Sequence, residues 1–383
     1  MAIEGELIVR LTCSGRRVRQ VTVRSTRPLI ASRMLTGKTA AAAAAFVPKL
    51  FSLCGGAQGA AATTALAAAG ATRLVADPPG REREVMLESL QDAFWHLLID
   101  WPNVMGSAPC STPVAAARFQ IAAAMRSADG LTQSADPAAM RELGLRMSTI
   151  AAQAIFGVAP SAWREIVDIP ALQDWCARGE TVPAVLLRQV LADEPELCRS
   201  ATPLLPATAR ESLSSVILPA MRSDPGFGRT PTWNGVPMET GGLARMRQEP
   251  LVIALREQFG NAVVTRIVAR LLELALLVME LQDAEGAARP PRIKGVACGD
   301  GEGLAAVETA RGLLLHRACV RDDSVVDYQI VAPTEWNFHV DGALVRGLEG
   351  LPADDDVQVI RSARLAVHAL DPCVAVRIEA GHA

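Results

Sequence analysis

A chain of 383 residues with 50% apolar, 21% charged and 4% aromatic side chains has the material for a large buried core. Thirty-eight Lys+Arg against 41 Asp+Glu leave a net charge of −3, which provides no general attraction to nucleic acid or to an anionic membrane. Eight cysteines stand at 13, 54, 110, 176, 198, 298, 319 and 373, never closer than 21 residues apart, so there is no CxxC pair for a local zinc ribbon or a ferredoxin-type cluster.

The first ten residues, Met1 to Arg10, lack a basic region followed by an apolar stretch, so no signal peptide is expected. Residues 6–12 and 17–24 alternate apolar and polar around Ser14-Gly15, which predicts a β-hairpin. The Ala-rich stretch from Ala40 to Ala71 is weakly hydrophobic and interrupted by Pro48 and Lys49, unlike a membrane span. Over 82–101, apolar positions at Val85, Leu87, Leu90, Phe94, Leu97, Leu98 and Trp101 predict an amphipathic helix ended by Pro102. Helical patterns also cover 112–127, 136–156, 181–193 and 243–286, and the Gly-, Pro- and Thr-rich stretch 222–241 reads as an ordered loop. The most apolar segment, Val263 to Leu281, carries Arg266, Arg270, Glu273 and Glu280 as one narrow stripe. That predicts a core helix with one wet edge rather than a membrane span. Strands are expected at 292–298, 313–321 and 324–332, with Arg321-Asp322-Asp323 as a turn, and a helix at 357–369.

These elements predict a mainly-α fold with small β elements (α+β), in a single domain over 1–383. Its parts are a hairpin at about 6–24, a helical core at about 57–286 and a C-terminal β/α part at about 290–383, with the two termini meeting over one core. A cytoplasmic location with reduced thiols is the default expectation, with no nucleic-acid or membrane partner.

Five stretches are unusual for a generic helical domain. They are Ile3-Glu4-Gly5-Glu6-Leu7; Phe51-Ser52-Leu53-Cys54-Gly55-Gly56-Ala57; Trp233 to Arg245; Ala310-Arg311-Gly312 to His316 with Tyr328 to Asn337; and Asp371-Pro372-Cys373-Val374-Ala375-Val376. In this order they resemble the motifs of [NiFe]-hydrogenase large subunits: R-x-C-G-x-C, P-R-G-x-x-x-H, P-T/S-x-W-N and D-P-C-x-x-C-x-x-H. The resemblance implies a shortened large-subunit fold. The departures are as informative as the matches. Each family CxxC supplies one thiolate terminal to nickel and one that bridges to iron. Here the first cysteine of each pair remains, as Cys54 and Cys373, while the second positions are Ala57 and Val376. Ser52 stands for the family Arg, Ala310 for the Pro and Glu379 for the final His. Ten residues follow Cys373, so no long peptide to be clipped after metal insertion is expected.

Two thiolates cannot make a centre in which nickel takes four. The pattern is similar to the HupK/HoxV family of large-subunit-like accessory proteins, as is Trp95-His96-Leu97-Leu98-Ile99-Asp100-Trp101-Pro102. The resemblance implies a non-enzymatic scaffold that holds or relays an Fe(CN)2CO group, with no nickel. Its partners would be hydrogenase maturation factors, including a small cysteine-bearing chaperone, and the large-subunit precursor. Cys54 and Cys373 would be the metal ligands. Arg311 would donate to one cyanide and Thr334, by side chain or backbone, to the other, and Ala332 and Pro333 would wall the carbon monoxide.

Each residue has a plainer reading. Cys54 and Cys373 could be inert buried thiols, Arg311 the partner of a carboxylate, and His316 a satisfied core histidine. Glu239 reads as a helix cap or as architecture, and Trp336 and Asn337 as fixing the loop that presents Thr334. The other six cysteines read as core or surface thiols, with Cys298 the foremost exception. Two rival functions remain. One is a metal-free structural protein related to respiratory-complex quinone-site subunits. The other is a thiol enzyme using Cys54, for which none of the five histidines has a supporting motif.

Overall fold

The computed structural model describes residues 5–27, 30–71, 74, 78–127, 136–283 and 290–382. Of the first unusual stretch, Ile3 and Glu4 lie outside these, as do residues 284–286 of the long helical pattern.

β1 (Glu6–Ser14) and β2 (Arg17–Ser25) form the expected antiparallel hairpin, turning through Gly15 and Arg16 with φ of 58° and 62°. The alternation works as predicted: Leu7, Val9, Leu11 and Cys13 are buried in the main core.

A four-stranded antiparallel sheet follows in the order β3 (Ile293–Ala297), β4 (Glu302–Thr309), β5 (Gly312–Arg321) and β6 (Ser324–Val331). β5 turns into β6 through Asp322 and Asp323, both left-handed, at the predicted turn. β4 was not expected. It reads Glu-Gly-Leu-Ala-Ala-Val-Glu-Thr and is buried on both faces, so it shows neither alternation nor a strong β-forming composition. Ala305 packs on one face with Ala62, Ala65 and Tyr328, while Leu304 and Ala306 pack on the other with Phe227 and Trp336. The helix Gly55–Ala68 lies directly on the first face. Gly303 permits that approach, because a Cβ there would stand 2.2 Å from the Ala65 carbonyl oxygen.

β7 (Ala375–His382) then pairs in parallel with β1, from Glu6 opposite Ala375 to Cys13 opposite His382. The two ends of the chain thus share one sheet, and Cys373 lies two residues before the strand that ties them together.

Helices Ser111–Ser127, Pro137–Ala151, Val182–Asp193 and Asp356–Leu370 lie where the periodicity placed them. The 243–286 pattern breaks into Gly242–Met246, Pro250–Phe259 and Val263–Gln282, interrupted by Pro250 and by Gly260 at φ 68°. Pro102 does not end a helix. Pro78–Trp95 widens through a π-turn at His96–Asp100 and runs into Trp101–Val104, and the Leu98 carbonyl, which Pro102 has no N–H to serve, accepts from Cys110 N at 2.8 Å instead.

The stripe on Val263–Gln282 is not a wet edge. Arg266 and Arg270 are 4% and 8% exposed. Arg266 makes a two-pronged pair with Glu239 at 2.8 and 2.9 Å. Arg270 reaches Asp371 at 2.7 Å, Glu273 pairs with Arg245, and Glu280 pairs with Arg292. Arg266 and Arg270 form a buried seam to Glu239 and Asp371, while Glu273 and Glu280 are half-buried in ion pairs at its edge. Glu239 is architecture, held by Arg266 rather than capping a helix. Among the described residues no helix is long and apolar enough to cross a membrane.

Candidate metal-cargo site

Cys54 and Cys373, 319 residues apart in the chain, line one small pocket. Its wall also includes Leu53, Gln58, Glu88, Asp92, Ala310, Arg311, Ala332 and Pro333. Five of the six site residues expected from sequence are therefore together. The sixth, Thr334, is not part of the wall. It sits behind Cys373, with its Oγ1 3.1 Å from the Cys373 sulfur. The Cys373 N–H donates to the same oxygen at 3.3 Å, so one hydroxyl bridges the backbone and the sulfur of Cys373. The Thr334 side chain contacts Cys373 instead of lining the pocket.

Cys54 immediately precedes the Gly55–Ala68 helix and contributes no side-chain cap. Glu88, from the neighbouring helix, supplies the cap instead, accepting from the Gly56 and Ala57 N–H groups at 2.7 and 3.1 Å. Burial pushes the Cys54 thiol up, with Cys373 and Glu88 adding to the effect and Arg311 and Gln58 opposing it. Burial also pushes Glu88 up, to about 7.

Arg311 takes the carboxylate-pairing reading while also lining the pocket. Its Nη2 lies 2.6 Å from Asp92 and its Nε 3.4 Å from Asp371. Arg270 meets the same two carboxylates at 3.7 and 2.7 Å. For Asp371, burial favours the neutral acid, but Arg311, His96 and Arg270 outweigh it and hold the group well below the usual carboxylate range. Gly312 lets this arginine's strand pass the Thr240 loop: its φ is 129°, and a Cβ there would stand 2.4 Å from Thr240 Cγ2. Asn337 locks three segments, accepting from Thr240 N at 2.9 Å and donating to the Arg311 and Leu370 carbonyls at 3.4 Å. Trp336 is fully buried against Phe227. Both do what was expected of them.

His96 joins the site from behind. It accepts from Trp101 Nε1 at 2.8 Å, so its Nδ1 carries the proton and faces Asp371 at 3.4 Å. His316 is fully buried between Gln58 and Tyr328, and burial lowers it to about 3, so it is a neutral ring.

The positions of the missing thiols are apolar packing. Ala57 is buried among Ala60, Ala61, Val85 and Leu314, Val376 packs on the main core in β7, and neither lines the pocket. Ser52 is exposed. Glu379 pairs with Arg10 on the outer sheet at 2.7 Å, away from the pocket. Among the described residues no group of three or more His, Cys, Asp or Glu is arranged to hold a metal ion.

The largest omission from the sequence reading is Arg27, at the end of the hairpin. Its Nη2 donates to the Cys373 sulfur at 2.7 Å, and Glu335 lies 4.0 Å away. Asp92, Glu88, His96 and Arg270 were also missed. One signal for three of them was present: Glu84, Glu88, Asp92 and His96 recur every four residues, a polar stripe on one helix face. Nothing in the sequence near Arg27 marks it.

Comparison with known proteins places this geometry. A family model described as nickel-dependent hydrogenase matches residues 222–378. The hydrogenase expression/formation protein HoxV of Cupriavidus necator is 32% identical, over 92% of this chain and 91% of that one. The hydrogenase expression/formation protein HupK of Azotobacter vinelandii is 32% identical, over 99% of both. Among solved structures, the Ni-Fe-Se hydrogenase from D. vulgaris Hildenborough superposes with a TM-score of 0.61 over 95% of each chain at 16% identity. The chain thus has the hydrogenase large-subunit fold.

Proposed function

This chain belongs to the HoxV/HupK family of hydrogenase expression/formation proteins, and from that premise we propose that it is a non-catalytic scaffold that holds or relays Fe(CN)2CO as cargo during [NiFe]-hydrogenase maturation. The observation that carries the proposal is that Cys54 and Cys373 meet at one pocket although their motif partners are Ala57 and Val376. Two sulfurs are too few for a four-thiolate nickel site. They suit an iron fragment that arrives with three diatomic ligands of its own. Arg311 and the Ala332-Pro333 turn line the same pocket, a cation and an apolar wall for ligands that are anionic at one end and apolar along their sides. Cys54 and Cys373 would ligate the iron, and Thr334 and Arg27 would hold Cys373 for that purpose. The maturation factors that make the iron group, a small chaperone with a reactive cysteine among them, and the large-subunit precursor are the proposed partners in the cytoplasm.

Infrared spectroscopy tests this on full-length protein purified without oxygen from cells making hydrogenase. Cyanide and carbonyl stretching bands are expected, and each of Cys54→Ser and Cys373→Ser should abolish them. A bandless protein that fully supports hydrogenase maturation would sink the cargo reading and leave a metal-free interaction protein in its place.

A further inference from the structure

We propose that Tyr328, His316 and Gln58 form a directed hydrogen-bond chain whose last N–H is aimed at, and positions, the Cys54 sulfur. The three side chains come from β6, β5 and the helix lying on that sheet, and they are 1%, 0% and 2% exposed. The contacts are Tyr328 OH to His316 Nδ1 at 2.6 Å, His316 Nε2 to Gln58 Oε1 at 2.9 Å, and Gln58 Nε2 to Cys54 Sγ at 3.7 Å.

Two directions are conceivable, and the buried hydroxyl decides between them. In the first, Tyr328 donates to Nδ1, the Nε2–H of the histidine donates to the Gln58 oxygen, and the Gln58 amide donates to sulfur. The tyrosine proton, the imidazole N–H and one amide N–H then each have an acceptor. In the second, the Gln58 amide is flipped, the thiol donates to its oxygen, its nitrogen donates to Nε2, and Nδ1–H donates to Tyr328. The tyrosine proton is then left over, and Tyr328 sits in an apolar cluster with Ala62, Ala305 and Ala318, with no other hydrogen-bond partner among the described residues. A stranded buried hydroxyl costs more than any of these bonds returns, so the first direction holds. Bonds aligned head to tail in a dry interior polarise one another, so the tyrosine acts on the sulfur through two intermediaries. The consequence is that Cys54 presents a sulfur that is held from behind by an amide N–H, with its open side toward the pocket. The inference rests on Cys54 being a sulfur that the site uses, and it does not depend on the identity of the cargo.

The test is the alkylation rate of Cys54 by iodoacetamide at one fixed pH, read peptide by peptide by mass spectrometry on the full-length chain. Gln58→Met keeps the side-chain length, removes the N–H, and should slow Cys54 roughly fivefold. Gln58→Glu puts a carboxylate where the amide was and should slow it more. Tyr328→Phe keeps the core shape and should slow it about twofold through the chain alone, with Cys373 unaffected. Circular dichroism melts confirm folding, and Tyr328→Phe decides the matter if a Gln58 variant fails to fold. Unchanged Cys54 rates in folded Tyr328→Phe and Gln58→Met protein would overturn the chain. Infrared bands in the wild type that do not move in Tyr328→Phe would also overturn it. A wild type without bands defeats the cargo reading instead, and the alkylation rates still decide the chain.

Discussion

The two cysteines of the pocket come from opposite ends of the chain and are surrounded differently. Cys54 leads into an alanine-rich helix buried against a sheet. Its polar contacts are an amide and, through the helix N-terminus, the Glu88 carboxylate one step removed. Cys373 sits on the turn between the Asp356–Leu370 helix and β7, where a guanidinium and a hydroxyl approach the sulfur directly. One sulfur is embedded in packing, and the other is clamped by side chains from the hairpin and from the Pro333–Asn337 helix. Retaining one cysteine of each family pair has therefore left two unlike ligands, and the charged machinery is concentrated on the C-terminal one.

The arginine between the two sides should show the largest effect. Arg311→Met leaves Asp92 and Asp371 buried with only Arg270 as cation. Removing one partner from such a cluster costs about 3–5 kcal/mol. Urea unfolding measures it, and a loss under about 1 kcal/mol would mean that the two sides are energetically independent.

The next test addresses the Cys54 side. Glu88 is raised from 4.5 to about 7, first by burial, and the Gly56 and Ala57 amides only partly offset this. Between those pH values the folded chain keeps a proton that the unfolded chain has released. Wild-type stability should therefore fall as pH rises through that window, by about 3 kcal/mol, and level off above it. Glu88→Gln should remove this slope. Its stability relative to wild type must then rise between pH 5 and pH 7.5 in urea titrations, and a constant difference would refute the assignment.

The smallest effect belongs to the clamp. Thr334→Val keeps the shape but removes the hydroxyl that bridges the Cys373 N–H and sulfur. It should cost about 1 kcal/mol in the same measurement, and Cys54 alkylation should stay unchanged. A change at Cys54 of similar size would show that the two sulfurs respond as one unit.

Local chemistry carried a good part of the reading. The hairpin announced itself by alternation around a glycine, and the β5–β6 turn by its aspartates. The helix at 357–369 appeared at its observed position to within a residue. β4 stayed hidden because a strand buried on both faces has no period, and β7 because its side chains are mixed and its partner is the far end of the chain. The polar stripe on the central helix was read as wet because sequence shows that charges share a face but not what that face meets.

The site divides in the same way. The sequence alone determined which residue types persist: a cysteine in each motif, the Arg311-Gly312 pair, the Pro333-Thr334 turn and the loss of the second thiols. Those are local facts, carried by motif order. Only the tertiary structure decided that Cys54 and Cys373 share a pocket, that Arg27 reaches the Cys373 sulfur from the hairpin, and that a tyrosine three contacts away aims an amide at Cys54. Hydrogen bonds and ion pairs depend on distances of a few ångströms between segments hundreds of residues apart. No pattern along the chain records those distances until the parallel pairing of β1 with β7 brings the ends together.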